Sequence, residues 1–329
     1  MKILFVDYYS DFGARNFYTN LINKYKKNNE ILFLDFSSNQ FNKNIFLRYL
    51  LRFILPFYIL IFQFKEKYNL VVSNGPLIYP LGRNTKCEYK WILYTPQKEE
   101  LKCRKTNLFR KFFYGIIIIY EKYAMYICNS VLTVSELSKK QIINEYHFAK
   151  VEVLPGIVDN VFYEYSKKKF GKNDSKIKTI FIPNFYRDER KGGDFLTPVL
   201  IKIADKLDKN NITLMISNRI IHSQRENFNQ LSKKIKVEYF ENLGYKELPS
   251  LYHNSLVVLT PATLEGYGLI PLEVKAAGGQ CISAPFPSLG FDNVSVNTKS
   301  KKTVVDGIIV LEHDPELWEK EILNIIKKV

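Results

Sequence analysis

The sequence predicts an α/β protein made of two doubly wound domains that face one another across a cleft. Three observations predict it. Short apolar runs alternate with helical patterns along the chain, as parallel strands covered on both faces require. These runs form two series, separated by the polar, charged stretch "YSKKKFGKNDSKIK" at 165–178. The length of 329 residues also suits two domains of roughly 150 residues each better than one.

The first series reads "KILFVD", "ILFLDF", "LVVS", "WILY", "VLTV" and "VEVL". The second reads "TIFI", "ITLMI", "VEYF", "LVVL" and "CISA", with "GIIVL" as a final strand. The expected division is an N-terminal domain over 1–164, a linker over 165–178 and a C-terminal domain over 179–329. Ligands of such domains sit beyond the carboxyl ends of the strands, where loops lead into helices. The first such loop, "DYYSDFGARNF", contains one glycine, Gly13, and no G-x-G-x-x-G fingerprint. A dinucleotide cofactor is therefore not expected.

Charge is the next signal. The formal net charge is +15, which attracts polyanions: nucleic acid, an anionic membrane or a phosphorylated substrate. Most of the excess is local, because fourteen Lys and Arg stand against four Glu between Asn42 and Phe112, a net of +10. The four cysteines (Cys87, Cys103, Cys128, Cys281) form no C-x-x-C pair and read as reduced cytosolic thiols. The start "MKILFVDYYSDFG" lacks the basic start and cleavage site of a signal peptide, so a cytoplasmic location is expected.

The most informative stretch is "SLVVLTPATLEGYGLIPLEVKAAGG", residues 255–279. "SLVVLTP" reads as a strand and "PLEVKAAGG" as the helix after it, with Pro271 at the first helical position and Gly278-Gly279 at the end. Gly266 and Gly268 lie in the intervening turn, where backbone can approach a ligand closely. The unpaired N–H groups that open the helix suit a phosphate. Glu265 then lies at the strand tip and Glu273 in the first helical turn. Carboxylates beside a phosphate site accept hydrogen bonds from hydroxyls. Phosphates flanked by hydroxyl-bearing groups at both ends describe a nucleotide sugar. The competing reading makes Glu273 a partner of the helix dipole and Glu265 a solvated loop charge.

Here the chain resembles a known family. "EGYGLIPLEVKAAGG" is similar to the E-x7-E signature of retaining glycosyltransferase family 4, whose GT-B fold sets two Rossmann-like domains across a cleft. "GYKELPSLYHNSLVVLTPATLEGYGL", "NSVLTVSELSKKQIINEYHFAKVEVLPGIVDNVFY" and "FIPNFYRDERKGGDFL" resemble further segments of that family. The resemblance implies a hexosyl transfer from a UDP- or GDP-linked donor, with retention and without a metal or other cofactor. The donor would bind the second domain, and the first would present the acceptor.

The resemblance also implies site residues. Lys191 matches the lysine that neutralises the departing diphosphate. Phe185 stands where the family has an arginine six positions earlier, so Arg187 or Arg190 would replace it, with Arg187 preferred. Glu273 would hold the ribose and Glu265 the transferred sugar. Backbone amides of Gly268, Leu269 and Ile270, beside Gly266, would meet the phosphates, and Gly13 would approach the donor from the first domain. Lys191, Glu265 and Arg187 are the catalytic candidates. Tyr94 of "LYTPQ" occupies a position where the family often has histidine, and His147, His222, His253 and His313 read as structural. The closing segment "HDPELWEKEILNIIKKV" reads as a helix capped by Asp314 and Pro315, with any crossover helices short or absent.

Residues 45–64, "IFLRYLLRFILPFYILIFQF", are the most apolar stretch, but Arg48, Arg52 and Pro56 interrupt it. A bilayer span needs about 20 apolar residues with few charges. An interfacial helix on an anionic membrane is the preferred reading, and a buried helix its competitor. "LFRKFFYGIIIIYEKY" adds a second basic and aromatic cluster. A membrane-facing first domain implies a glycolipid or lipid-linked glycan acceptor, peripheral membrane association and a role in cell-surface glycan assembly. No nucleic-acid partner is expected, since zinc-finger, RNP-like and basic heptad patterns are missing. A basic nucleic-acid-binding protein and a nucleotide-sugar epimerase of the same fold are the alternatives.

Overall fold

The computed structural model describes residues 1–7, 17, 21–26, 29–35, 68–74, 87–102, 108–169, 177–186, 188–217, 220–240, 244–291 and 302–328. They fall into two compact units: Met1–Leu101 with Thr106–Ile157, and chiefly Val158–Val329.

The first unit is an open parallel sheet. Its strands are β1 (Lys2–Asp7), β2 (Glu30–Asp35), β3 (Leu70–Ser73), β4 (Glu88–Ile92), β5 (Ser130–Thr133) and β6 (Val151–Val153), in the order β2-β1-β3-β4-β5-β6. Ile3, Leu4, Phe5 and Val6 are consecutive and all fully buried, so both faces of β1 are covered. The helices are α1 (Gln97–Lys102), α2 (Leu108–Ile127) and α3 (Glu136–Tyr146). Helix α3 starts where Ser135 accepts from the Ser138 N–H at 3.1 Å, a side-chain cap that satisfies one orphan donor.

The second unit opens with α4 (Asn160–Lys169). There follow β7 (Ile177–Ile182), α5 (Gly193–Lys202), α6 (Ala204–Lys209), β8 (Thr213–Ser217), α7 (Arg225–Ser232), β9 (Val237–Phe240), α8 (Leu248–Asn254) and β10 (Ser255–Thr260). The unit continues with α9 (Leu269–Ala276), β11 (Cys281–Ser283), β12 (Lys302–Val305), β13 (Ile308–Leu311) and α10 (Pro315–Ile326). The sheet order is β12-β13-β11-β10-β7-β8-β9, parallel except where β12 meets β13. Side chains of β7 alternate between two cores: Ile180 and Ile182 join Trp318, Leu196 and Phe185, while Phe181 joins Phe162, Tyr252 and Val274.

Several expectations need correction. The units divide at Ile157/Val158, and residues 165–169 of the anticipated linker complete α4. The reason is Phe162, which lies fully buried with its ring stacked 5.8 Å from Tyr252 and edge-on to Tyr245 at 5.4 Å. Lys167 and Lys168 are exposed on the outer face of that helix. Strand β4 starts at Glu88, ahead of "WILY". Strand β12 is an addition, a hairpin closed by Asp306 and Gly307 at φ 50° and 83°, the paired positive values of a type I′ turn. Residues 45–64, with Arg48 and Arg52, lie outside the described residues. Among the described residues, no helix is long and apolar enough to cross a membrane.

Candidate functional site

In the second sheet the chain runs outward from β7 to β8 and β9, then returns to place β10 on the other side of β7. Strand order therefore reverses between β7 and β10. Loops leaving the carboxyl ends of such neighbours diverge to opposite faces and open a crevice, the usual ligand position of doubly wound sheets. Lys191 is on the loop after β7. Glu265, Gly266 and Gly268 are on the loop after β10.

Local chemistry brings the two loops together. The Asp188 carboxylate accepts from the Arg190 N–H at 3.0 Å, starting a short 3-10 turn over Glu189–Lys191. It also accepts from the Arg190 guanidinium, at 3.1 Å from Nε and 3.2 Å from Nη2. Gly192 then takes φ 81°, and a Cβ there would lie 2.2 Å from the Pro261 carbonyl oxygen. Only glycine permits both that φ and that approach. Across the same junction the Thr263 N–H donates to the Arg190 carbonyl at 2.8 Å. The outcome is an ion pair: Lys191 Nζ donates to Glu265 Oε1, with both side chains 21% exposed.

Gly268 turns the second loop into α9. Its φ is 86° and its ψ 64°, and a Cβ would stand 2.5 Å from the Phe286 ring. No side chain caps this helix. The N–H groups of Leu269 and Ile270, its first two residues, have no carbonyl one turn back to bond. The helix thus starts two residues before the expected Pro271. Proline is tolerated there because the third N–H of a helix is also an orphan.

Glu273 is correspondingly the fifth helical residue and not in the first turn, which removes the dipole reading. It shares the inward face with Val274 and is only 6% exposed. The Tyr245 and Tyr252 hydroxyls point at its two carboxylate oxygens from 3.4 Å each. Burial pushes its pKa up to about 7 against the lowering effect of the two hydroxyls, Tyr252 first. A carboxylate so placed is ready to accept stronger hydrogen bonds than it has.

Lys191, Glu265, Gly266 and Gly268 thus lie on the two loops that leave the switch point, with Leu269 and Ile270 at the adjoining helix start. Arg190 sits next to them but is engaged by Asp188. Arg187 and Gly13 lie outside the described residues. Phe185 is fully buried, its ring 4.3 Å from that of Tyr186, and belongs to the core. Sequence reasoning missed Thr263, Tyr245 and Tyr252. For the tyrosines a signal existed: Pro271, Val274 and Ala277 mark a buried face that includes Glu273, and a buried carboxylate needs donors. Among the described residues, no group of three or more His, Cys, Asp or Glu is placed to hold a metal ion.

The first unit holds a second buried carboxylate. Glu121 of α2 accepts from the Gln97 N–H that opens α1, at 3.1 Å from Oε2, and from the Tyr146 hydroxyl. Burial raises its pKa to about 7. Tyr94, just beyond β4, packs edge-on against Phe17 at 5.7 Å.

Comparison with known proteins places the family and the fold. Residues 163–328 match the family described as glycosyl transferases group 1. An uncharacterized 41.2 kDa protein in the cps region of Klebsiella pneumoniae is 29% identical over 163 residues, which are 47% of this chain and 42% of that protein. Among solved structures, WaaG, a glycosyltransferase involved in lipopolysaccharide biosynthesis, superposes with a TM-score of 0.65 at 14% identity. The match covers 99% of this chain and 90% of WaaG. Sucrose-phosphate synthase from Thermosynechococcus elongatus gives 0.64 at 14% identity, covering 99% and 90%. The catalytic domain of starch synthase IV from Arabidopsis thaliana, bound to ADP and acarbose, gives 0.64 at 12%, covering 100% and 92%. At these identities the structures establish the fold. The family match establishes the rest: the chain belongs to the glycosyl transferases of group 1, on the GT-B fold.

Proposed function

We propose that the protein transfers a hexosyl group from a UDP- or GDP-linked donor to a glycolipid or lipid-linked glycan in cell-surface glycan assembly. Retention of configuration and family 4 membership follow from the E-x7-E resemblance. The observation that carries the reading is the Lys191–Glu265 pair at the β7/β10 switch point, beside an uncapped helix start. A cation, hydroxyl acceptors and free amides there match the parts of a nucleotide sugar.

In this reading the diphosphate lies against the amides of Gly268, Leu269 and Ile270. The bond between the anomeric carbon and the phosphate oxygen breaks, and its electron pair stays with the diphosphate. The acceptor oxygen joins the anomeric carbon as its hydroxyl proton passes to the departing diphosphate oxygen. Lys191 stabilises the growing phosphate charge, which takes the place of a metal ion. Glu265, released by Lys191, accepts from hydroxyls of the sugar, and Glu273 accepts from the ribose. Arg190 or Arg187 adds further positive charge once donor phosphate competes with Asp188. The basic region around Arg48 and Arg52 would hold the first unit to the anionic cytoplasmic membrane surface, where such acceptors are found.

Saturation-transfer NMR tests this class assignment. UDP- and GDP-sugars should show transfer to both base and sugar protons, and short nucleic-acid duplexes should show none. Signals from duplexes alone would favour the nucleic-acid alternative. Binding of the sugar nucleotide with inversion at a ring carbon, and no transfer, would favour the epimerase.

A further inference from the structure

We infer that His313 is a positioning residue for the Lys191–Glu265 pair, acting through the carbonyl of Pro261. The inference rests on the donor-site reading above and adds a residue to it from a third loop, the one after β13.

His313 Nε2 lies 3.0 Å from the Pro261 carbonyl oxygen. A carbonyl only accepts, so Nε2 carries the proton. Burial holds the ring below its ordinary range, against the favourable pull of the Pro261 and Ala262 carbonyls on the charged form. The contact thus calls for hydrogen on Nε2, and burial favours the neutral ring. Its base is firm: the Trp318 indole donates to the Glu312 carbonyl at 2.8 Å, and Asp314 caps α10 through the Glu316 N–H at 3.0 Å. The ring also meets Phe195, in the first turn of α5, edge-on at 4.9 Å.

The Pro261 carbonyl is the same group that Gly192 approaches too closely for any Cβ. It is gripped by His313 through a hydrogen bond and packed by the residue that follows Lys191. Two residues on, Thr263 bonds the Arg190 carbonyl, and two further on stands Glu265. Rotating the Pro261 peptide would move Glu265 and loosen the seat of Lys191 together. The imidazole thus sets the spacing of a cation and a carboxylate that it does not touch.

The test compares His313→Leu, which removes the donor at similar size, with His313→Gln, whose amide can still donate. Hydrogen exchange is read at residues 190–193 and 262–265, and nucleotide release gives kcat and KM. His313→Leu should speed exchange in both segments and lower kcat about ten- to hundredfold, with donor KM much less changed. His313→Gln should restore both. In a Lys191→Ala background, His313→Leu should cost less than about twofold more, because both changes remove one unit. Normal exchange in His313→Leu, equal defects in both variants, or full multiplication of the two losses would overturn the inference. Should wild type release no nucleotide from any sugar donor, the proposed function fails while the exchange comparison still decides the positioning. Should His313→Leu not fold, the ring nitrogen shifts of wild type decide: hydrogen on Nε2 supports the inference, and hydrogen on Nδ1 overturns it.

Discussion

Lys191 donates from its ammonium to Oε1 of Glu265, tying the loop after β7 to the loop after β10 across the switch point of the second sheet. In the proposed donor site this pair would hold a cation beside an uncapped helix start, neutralised until a stronger anion arrives. A diphosphate carries more charge than one carboxylate and would draw Lys191 away, freeing Glu265 for hydroxyls.

Lys191→Ala should therefore lower turnover more than donor affinity, because phosphate charge grows as the sugar leaves. Removing one well-placed donor of this kind costs about 10²–10³ in kcat. Wild type should keep its turnover in EDTA, since the cation is a side chain. Loss of turnover in EDTA with recovery in magnesium would contradict the metal-free account.

Glu273→Ala should weaken donor binding about ten- to hundredfold, since hydrogen bonds to a charged group contribute roughly 1.5–3 kcal/mol. The fold should survive, as the buried carboxylate has only long contacts from Tyr245 and Tyr252. Because its pKa is raised to about 7, donor affinity in wild type should climb between pH 6 and 8 as the carboxylate ionises. Calorimetry across that range, with circular dichroism as the folding control, checks both points. A flat affinity profile, or an unchanged affinity in Glu273→Ala, would remove the ribose assignment.

Stability should carry the opposite pH signature. Burial lifts both Glu121 and Glu273 from 4.5 to about 7. Between those values the folded chain keeps protons that the unfolded chain has released, so their contribution falls as pH rises through that window and is level above it. Each full shift corresponds to at most ~3 kcal/mol. Glu121→Gln and Glu273→Gln should therefore gain stability relative to wild type on going from pH 5 to pH 8, by denaturant melts. A difference independent of pH would show that these carboxyls are not perturbed by burial.

Much of this arrangement is legible in the sequence, and what is not has physical causes. Strand β10 and its glycine turn are plain because apolar run, glycines and carboxylates follow in order. The start of α9 misleads because Pro271 prefers the first helical position, while the positive φ of Gly268 starts the helix earlier. The linker misleads because Lys167 and Lys168 of α4 face water, while Phe162, with Val161 and Tyr165, docks the helix on the second unit. The β12–β13 hairpin was readable from Asp306-Gly307, but an edge strand of four residues carries little apolar signal. No sequence pattern shows that Lys191 and Glu265, 74 positions apart, will meet. That contact depends on sheet order and on the fit of Gly192 against Pro261.

The first unit should bind anionic vesicles in flotation and release them as salt is raised. Each basic group near such a surface contributes about 1 kcal/mol and is screened within a Debye length. Replacing Arg48 and Arg52 together by alanine should lower binding about tenfold or more at low salt. Equal binding to neutral and anionic vesicles, or resistance to carbonate extraction, would contradict the peripheral model.

The most direct measurement is release of free nucleotide from a panel of UDP- and GDP-sugars, in EDTA, by wild type, Lys191→Ala and Glu265→Ala. The account predicts that wild type releases nucleotide from at least one donor, faster with a lipid-linked glycan present, and that both variants lose that release while remaining folded. Release at wild-type rates by either variant, or none from any donor by wild type, would contradict it.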